Sequence, residues 1–110
     1  MATDAYSAAT HAPVMITADG GCTQLVFTGR LGAADVLRLE QALDDRRLAQ
    51  AHTWLWDMAG LIHIDLICAY ALLRAIRRTA TGPVRIRGAR RPVERTLRHT
   101  GMGAVADIHG

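Results

Sequence analysis

Three side chains that could do chemistry lie close together in this sequence: Asp57, His63 and Asp65. Two carboxylates could form a general acid–base pair, and carboxylates with an imidazole could bind a metal ion. The other residues between them are mainly apolar: Met58, Ala59, Leu61, Ile62 and Ile64. The chain also has no Ser–His–Asp spacing, glycine-rich phosphate loop or paired cysteine motif. We therefore predict that the chain is not an enzyme and needs no metal or cofactor, and that His63 is a surface or cap-adjacent histidine.

A structural role explains both aspartates. We predict that Asp57 ends a strand and that Gly60 follows it in a tight turn. Asp65 directly precedes an apolar helical segment, where a short acceptor side chain caps free backbone N–H groups and suits the positive end of the helix dipole. The two aspartates are thus predicted to fix a turn and a helix start.

The elements around these residues alternate between strand and helix. Apolar periodicity and Gly/Pro punctuation predict strands at 14–18, 24–28, 53–57 and 84–87, and helices near 33–48, 66–79 and 92–100. Residues 102–110 add a short strand or a docked tail. The fold class is therefore α/β, a single small domain whose mixed sheet starts with an N-terminal hairpin and is flanked by helices. We predict a flexible tail over residues 1–13 and the domain over 14–110.

Composition narrows the class further. Half of the 110 residues are hydrophobic, which suffices for one core, and Cys22 and Cys68 are predicted to be reduced thiols. No apolar run approaches the roughly 18 residues of a membrane span, so we predict no membrane insertion. The N-terminal segment has Asp4 and no basic residue, unlike a secretory signal. These features predict a cytoplasmic domain.

The charge is unevenly distributed along the chain. All thirteen basic residues are arginine; residues 1–65 carry 4 − 8 = −4 and residues 66–110 carry 9 − 2 = +7. This favours a solvated basic face, an acidic partner or nucleic acid. The arginines of the basic part are Arg74, Arg77, Arg78, Arg85, Arg87, Arg90, Arg91, Arg95 and Arg98. No aromatic side chains interleave with them for base stacking, which argues against nucleic-acid binding.

The segment from Asp57 to Ala69 resembles the signature of the STAS domain, named from sulfate transporters and anti-sigma factor antagonists. That signature has Asp-Leu-Ser-Gly, an apolar stretch and then Ile-Asp-Ser-Ser-Gly-Leu before a leucine-rich helix. Here the corresponding segments are DMAG at 57–60 and IDLICA at 64–69. FTGRL at 27–31, VRIRG at 84–88 and PVERTLRHTGM at 92–102 resemble further family segments, so the likeness covers roughly residues 14–105.

The resemblance implies a mixed sheet with flanking helices and a protein-binding function. Typical bacterial members bind an anti-sigma factor that is itself an ATP-dependent serine kinase. This kinase phosphorylates the serine directly after the aspartate and so ends the binding. Here Leu66 occupies the phosphoacceptor position, Ile67 and Cys68 follow, and Gly32 replaces the aspartate expected after Leu31. The family's phosphorylation switch therefore does not carry over to Leu66.

Three functions remain open. The first is an anti-sigma factor antagonist that binds an anti-sigma factor, a serine-kinase-like ATPase or another regulatory protein without the switch. The second is an adaptor or scaffold subunit of a transporter or stress-sensing complex, and the third is an arginine-rich nucleic-acid-binding protein.

Helical spacing predicts which face of the second helix meets a partner. It places Ala69, Tyr70, Leu73 and Ile76 against the sheet. The predicted partner-binding residues are Asp65, Leu66, Ile67, Ala71, Arg74 and Arg78. Trp54 and Trp56 are both predicted to lie in the core.

Overall fold

The sheet starts with a hairpin. In the computed structural model, which describes residues 14–110, β1 (Val14–Asp19) pairs antiparallel with β2 (Cys22–Leu31). Gly20 and Gly21 join the strands with positive φ angles, a conformation that glycine adopts without a steric cost. The predicted hairpin is confirmed. The predicted tail over residues 1–13 lies outside the described residues and stays a prediction.

Three further strands extend the hairpin into one mixed sheet. They are β3 (Thr53–Ile64), β4 (Val84–Arg87) and β5 (Asp107–Ile108), and the sheet order is β1-β2-β3-β4-β5. Every pairing after the hairpin is parallel. Parallel neighbours need crossover connections, and helical segments provide them here. The predicted mixed sheet is therefore confirmed, and β5 is the short strand expected near the C-terminus.

The helical segments are more numerous than the sequence pattern predicted, because the first predicted helix is divided. They are a 3₁₀ turn at Ala33–Asp35, α1 (Val36–Leu43), α2 (Arg46–Gln50), α3 (Leu66–Thr79), α4 (Arg91–His99) and a second 3₁₀ turn at Met102–Ala104. The prediction of one helix over 33–48 is wrong because Asp45 starts a new helix. Its carboxylate accepts a hydrogen bond from the backbone N–H of Arg47, 2.9 Å away. The predicted bounds of α3 are confirmed.

Among residues 14–110, helices cover one face of the sheet. Side chains alternate along the strands, so that Leu25, Trp56 and Ile86 are fully buried in adjacent strands. Trp54 stacks on Trp56 at a ring distance of 6.1 Å, and its indole N–H donates to the Leu48 carbonyl oxygen at 3.0 Å. Both tryptophans thus lie in the core, as predicted.

The central strands run further than predicted, and this changes the assignment of Asp57 and Gly60. β3 continues through both residues to Ile64, so the predicted strand end at Asp57 and the predicted tight turn at Gly60 are wrong. The pairing with β2 shifts register between Val26 and Thr28 instead. A Cβ at Gly60 would lie 3.0 Å from the Thr28 methyl group, which shows that glycine allows close approach at this irregularity.

Candidate protein-interaction site

Asp65 lies where β3 ends and α3 begins. Its backbone N–H donates to the Leu31 carbonyl oxygen at 2.8 Å, and its extended φ and ψ angles are those of an N-cap residue. Asp65 thus occupies the predicted N-cap position, but its side chain makes no capping hydrogen bond within α3, so that part of the prediction is wrong. The carboxylate instead accepts a hydrogen bond from the backbone N–H of Ala33 at 2.9 Å and contacts the His63 Nε2 at 2.6 Å. It therefore connects two loops.

These contacts affect the ionisation of Asp65. The hydrogen bond with His63, followed by the one with the Ala33 N–H, lowers the pKa of the Asp65 carboxyl below its usual value. The carboxylate is thus negatively charged at neutral pH. It places a fixed negative charge beside the first turn of α3.

The loop at Gly32 is attached to the same helix start. The Cys68 thiol donates to the Gly32 carbonyl oxygen at 3.2 Å, and the Gly32 N–H donates to the Asp35 carboxylate at 2.9 Å. Burial raises the pKa of the Cys68 thiol to about 11, so this cysteine is a neutral donor at physiological pH. The first turn of α3 is therefore held to the loop after β2 by both Asp65 and Cys68.

Asp57 does not belong to this site. A strand rises about 3.3 Å per residue, and β2 advances only five residues, from Val26 to Leu31, beside the bulged segment from Asp57 to Ile64. Asp57 and Ile64, the residue before Asp65, therefore lie roughly 16 Å apart. The Asp57 carboxylate accepts a hydrogen bond from the Ala59 N–H at 3.0 Å. At that separation the two aspartates do not act as a catalytic pair. Among the described residues, no three His, Cys, Asp or Glu side chains come together as a candidate metal site.

Exposed apolar side chains concentrate at the start of α3. Within residues 14–110, six large hydrophobic residues are exposed, and four of them lie between positions 62 and 70. They are Ile62 (49% exposed), Leu66 (42%), Ile67 (47%) and Tyr70 (39%). We call these four residues the apolar patch. Such clustering on a surface that is rimmed by polar groups is typical of protein interaction sites.

The patch corrects two helix-face predictions. Tyr70 was predicted to pack on the sheet and is exposed, whereas Ala71 was predicted to contact a partner and is only 3% exposed. The reason is that α1 packs along α3 and covers the side on which Ala71 lies. A tyrosine hydroxyl needs a hydrogen-bond partner when buried, which could have indicated the exposed position of Tyr70. Ile62 was missed because β3 was predicted to end before it.

Two flanks of different charge border the patch. On the α1 side, Arg74 pairs with Glu40 at 3.0 Å and Arg78 pairs with Asp44 at 3.3 Å. On the α4 side, a shallow depression is lined by His63, Ile64, Asp65, Leu66, Arg95, Thr96 and His99. The structure therefore brings the predicted Asp65, Leu66 and Ile67 together, and places Arg74 and Arg78 in ion pairs further along the helix.

Comparison with protein-family models decides the family. Residues 14–107 match the family described as "Mlab, STAS domain". The chain belongs to the STAS domain family. The resemblance that rested on the segments around Asp57 and Asp65 is confirmed. No match was found among curated proteins.

Solved structures with the same STAS fold include anti-sigma factor antagonists. One from Mycobacterium paratuberculosis is 13% identical, with a TM-score of 0.74 over 87% of this chain and 83% of that one. The antagonist SpoIIAA in its unphosphorylated form is also 13% identical, with a TM-score of 0.70 over 86% of each chain. At such identities the likeness concerns the fold, which confirms the predicted STAS-like class.

A larger protein contains a related segment. The structure of SLC26A9 is 19% identical with a TM-score of 0.57 over 76% of this chain, but only 16% of SLC26A9 is covered. In the described part of this STAS chain, no helix has the length and apolar character to cross a bilayer.

Proposed function

We propose that this STAS domain is a non-enzymatic, cytoplasmic protein-interaction domain that acts as an anti-sigma factor antagonist. Its partner is an anti-sigma factor or a related serine-kinase-like ATPase. The apolar patch is the contact surface, and the observation that carries the proposal is the exposure of Leu66 and Ile67 at the first turn of α3. The resemblance supports this choice, because it implies that typical members are phosphorylated directly after the aspartate that corresponds to Asp65.

The patch has the energetic character of an interface centre. Full burial of a leucine or isoleucine side chain is worth about 1.5–3 kcal/mol, so each half-exposed member contributes roughly 1 kcal/mol when a partner covers it. Because Asp65 and Cys68 hold this turn to the loop at Gly32, little ordering entropy is lost on binding. Polar side chains such as His63 and Arg95 border the patch and form a rim.

The interaction lacks a serine phosphorylation switch. Leu66 stands at the position of the phosphoacceptor, and residues 58–72 contain neither serine nor threonine. A phosphate there would add about −1.5 to −2 charges next to the ionised Asp65 and would oppose burial of the patch. Without an acceptor hydroxyl, binding continues for as long as the partner is present. Control of such an antagonist then operates through its amount or through the partner.

A second function is favoured by the likeness to a segment of SLC26A9. There, the related fold occupies only a small share of a large chain. The first turn of α3 is apolar and has no serine to phosphorylate, so its contact with a partner would be permanent. A permanent contact also suits an adaptor or scaffold subunit of a transporter or stress-sensing complex. The partner would then be a stable component of that assembly rather than a kinase-like regulator.

Recovery of the partner from the native host distinguishes these functions. Tagged wild-type protein and Leu66→Asp are purified from cells, and the bound proteins are identified by mass spectrometry. Met15→Asp is the matched control, because Met15 is even more exposed (67%) but lies on β1. We expect a kinase-like ATPase with the wild type and the control, and its loss with Leu66→Asp. A transporter subunit in its place would support the adaptor function.

The absence of a switch is tested with the recovered partner and ATP. We expect residues 58–72 to remain unmodified in wild-type protein, and Leu66→Ser to become phosphorylated and to dissociate. Phosphorylation of the wild-type segment, for example on Tyr70, with release of the partner would contradict the proposal.

A further inference from the structure

We infer that the partner's contact segment carries carboxylates along the edge that faces α4, beside the apolar side chains that cover the patch. The inference rests on the proposed function and adds the chemistry of the partner and the direction in which it docks. It is carried by the different charge of the two flanks of the apolar patch.

The α1 flank is already neutralised within the chain. Arg74 and Arg78 each pair with a carboxylate of α1 or of the residue that follows it. A partner that approaches this flank meets charges that already have partners. Exposed pairs of this kind contribute little to affinity, so this side does not select for a charged partner.

The α4 flank carries the positive charges of two arginines, Arg91 and Arg95, which have no ion-pair partner among residues 14–110. Arg91, Arg95 and His99 lie four residues apart, so they form a stripe on one face of α4. All three are exposed, and none makes an ion pair with another residue in the 14–110 region. Arg98, by contrast, is engaged by Glu94 at 2.9 Å and by the Ile108 carbonyl oxygen at 3.2 Å. Within α4, the guanidinium groups without an ion pair are therefore those of Arg91 and Arg95.

The stripe adjoins the patch directly. Arg95 and His99 line the same depression as Leu66, the first residue of α3. The Asp65 carboxylate lines it too, but its oxygens contact the Ala33 N–H and His63. A segment that covers Leu66 thus places its α4-facing edge near Arg95, where a carboxylate forms a partly desolvated ion pair.

The apolar centre favours an acidic protein segment over nucleic acid as the occupant. Leucine and isoleucine offer no flat platform for base stacking, and covering them with a phosphate backbone would desolvate charge against an apolar surface. An amphipathic helix with acidic residues beside its apolar face matches both features.

A display library of short helical peptides tests this directly. Peptides are selected on wild-type protein, and the selected binders are measured against Arg91→Glu/Arg95→Glu. The control is Arg85→Glu/Arg87→Glu, which makes the same charge change on exposed arginines of β4. We expect selected peptides to combine apolar residues at helical spacing with Asp or Glu. Their affinity should fall by about tenfold or more in the α4 variant only.

Several results would overturn the inference. They are selection of neutral or basic peptides, recovery of no binder, and acidic peptides whose binding survives reversal of Arg91 and Arg95. Salt-sensitive binding of duplex DNA that requires the same two arginines would assign the stripe to nucleic acid. Leu66→Asp separates the two claims. If it abolishes binding while the arginine reversal does not, the patch stands and the acidic edge fails; if it has no effect, the proposed contact surface fails.

Discussion

The two ends of α3 have opposite surface chemistry. At its start, Leu66, Ile67 and Tyr70 are left exposed by the rest of the described domain. Towards its end, Arg74 and Arg78 are exposed but paired with carboxylates from the α1 side. Contacts within the fold therefore account for the exposed arginines in the second half of α3. They do not account for the exposed apolar side chains in its first half. A surface that folding does not require is the part where a function is expected.

The largest loss of stability is expected for a substitution at Ala71, which lies between those two halves of α3. Ala71→Asp places a polar, charged side chain at a position that α1 covers, so it should cost about 2–3 kcal/mol of unfolding free energy although Arg74 and Arg78 line the same depression. Tyr70→Asp, one residue earlier on the exposed side, is the control and should cost far less. Urea unfolding followed by circular dichroism measures both. Equal losses would show that the two halves are not distinguished by burial.

A large effect on binding is expected at the start of the helix. Leu66→Asp should weaken the purified partner complex by about tenfold to a hundredfold, since it puts a charge into the centre of an apolar contact. Its unfolding midpoint should stay close to that of the wild type, because Leu66 is already half exposed. Calorimetric titration gives the affinity. Unchanged affinity would move the contact surface elsewhere, first of all to α4.

An intermediate effect is expected at Asp65, which positions that end of the helix. Asp65→Asn should lower the unfolding midpoint, because the contacts with Ala33 and His63 favour the ionised carboxylate. The folded-state pKa lies below the unfolded value of about 4, so this stabilisation is present above pH 4 and is lost as the pH falls through the folded pKa. Thermal unfolding of both proteins from pH 7 to pH 2 should show the difference shrink at the acidic end. A difference that grows on acidification would contradict this sign.

The smallest effect is expected at the other end of the helix. Arg78→Ala removes an exposed ion pair with Asp44 and should change the unfolding free energy by about 0.5 kcal/mol or less. Partner affinity should not change measurably. The matched Arg95→Ala on α4 should weaken the complex instead. If Arg78→Ala were the more damaging of the two, the assignment of the flanks would be reversed.

The sequence predicted the fold better than it predicted the faces of its elements. Apolar periodicity located α3 to the residue, and the predicted strand at 84–87 has the bounds of β4. The extent of β3 was missed because Gly60 resembles a turn residue, while the irregular pairing with β2 that lets the strand pass through it is a tertiary feature. Local signals do not contain that information.

The sequence predicted only part of the candidate site, because the other part depends on tertiary contacts. Asp65, Leu66 and Ile67 follow from the family motif. Tyr70 is exposed and Ala71 is buried, the reverse of the prediction. Which of the two is buried depends on where α1 packs, and helical spacing alone does not determine that. The carboxylate of Asp65 also bonds Ala33, more than thirty residues earlier, instead of its own helix. Long-range contacts of this kind become visible only in the structure.

Hydrogen exchange of the purified complex tests the central claim most directly. Amide exchange is compared between the free STAS domain and the domain bound to its partner. The account predicts that protection on binding is concentrated at residues 62–70 and extends onto α4 around Arg95. Little protection is expected on the open face of the sheet around Met15 or at the Arg78 end of α3. Protection confined to either of those regions, with residues 62–70 unchanged, would contradict the claim that the apolar patch is the contact surface.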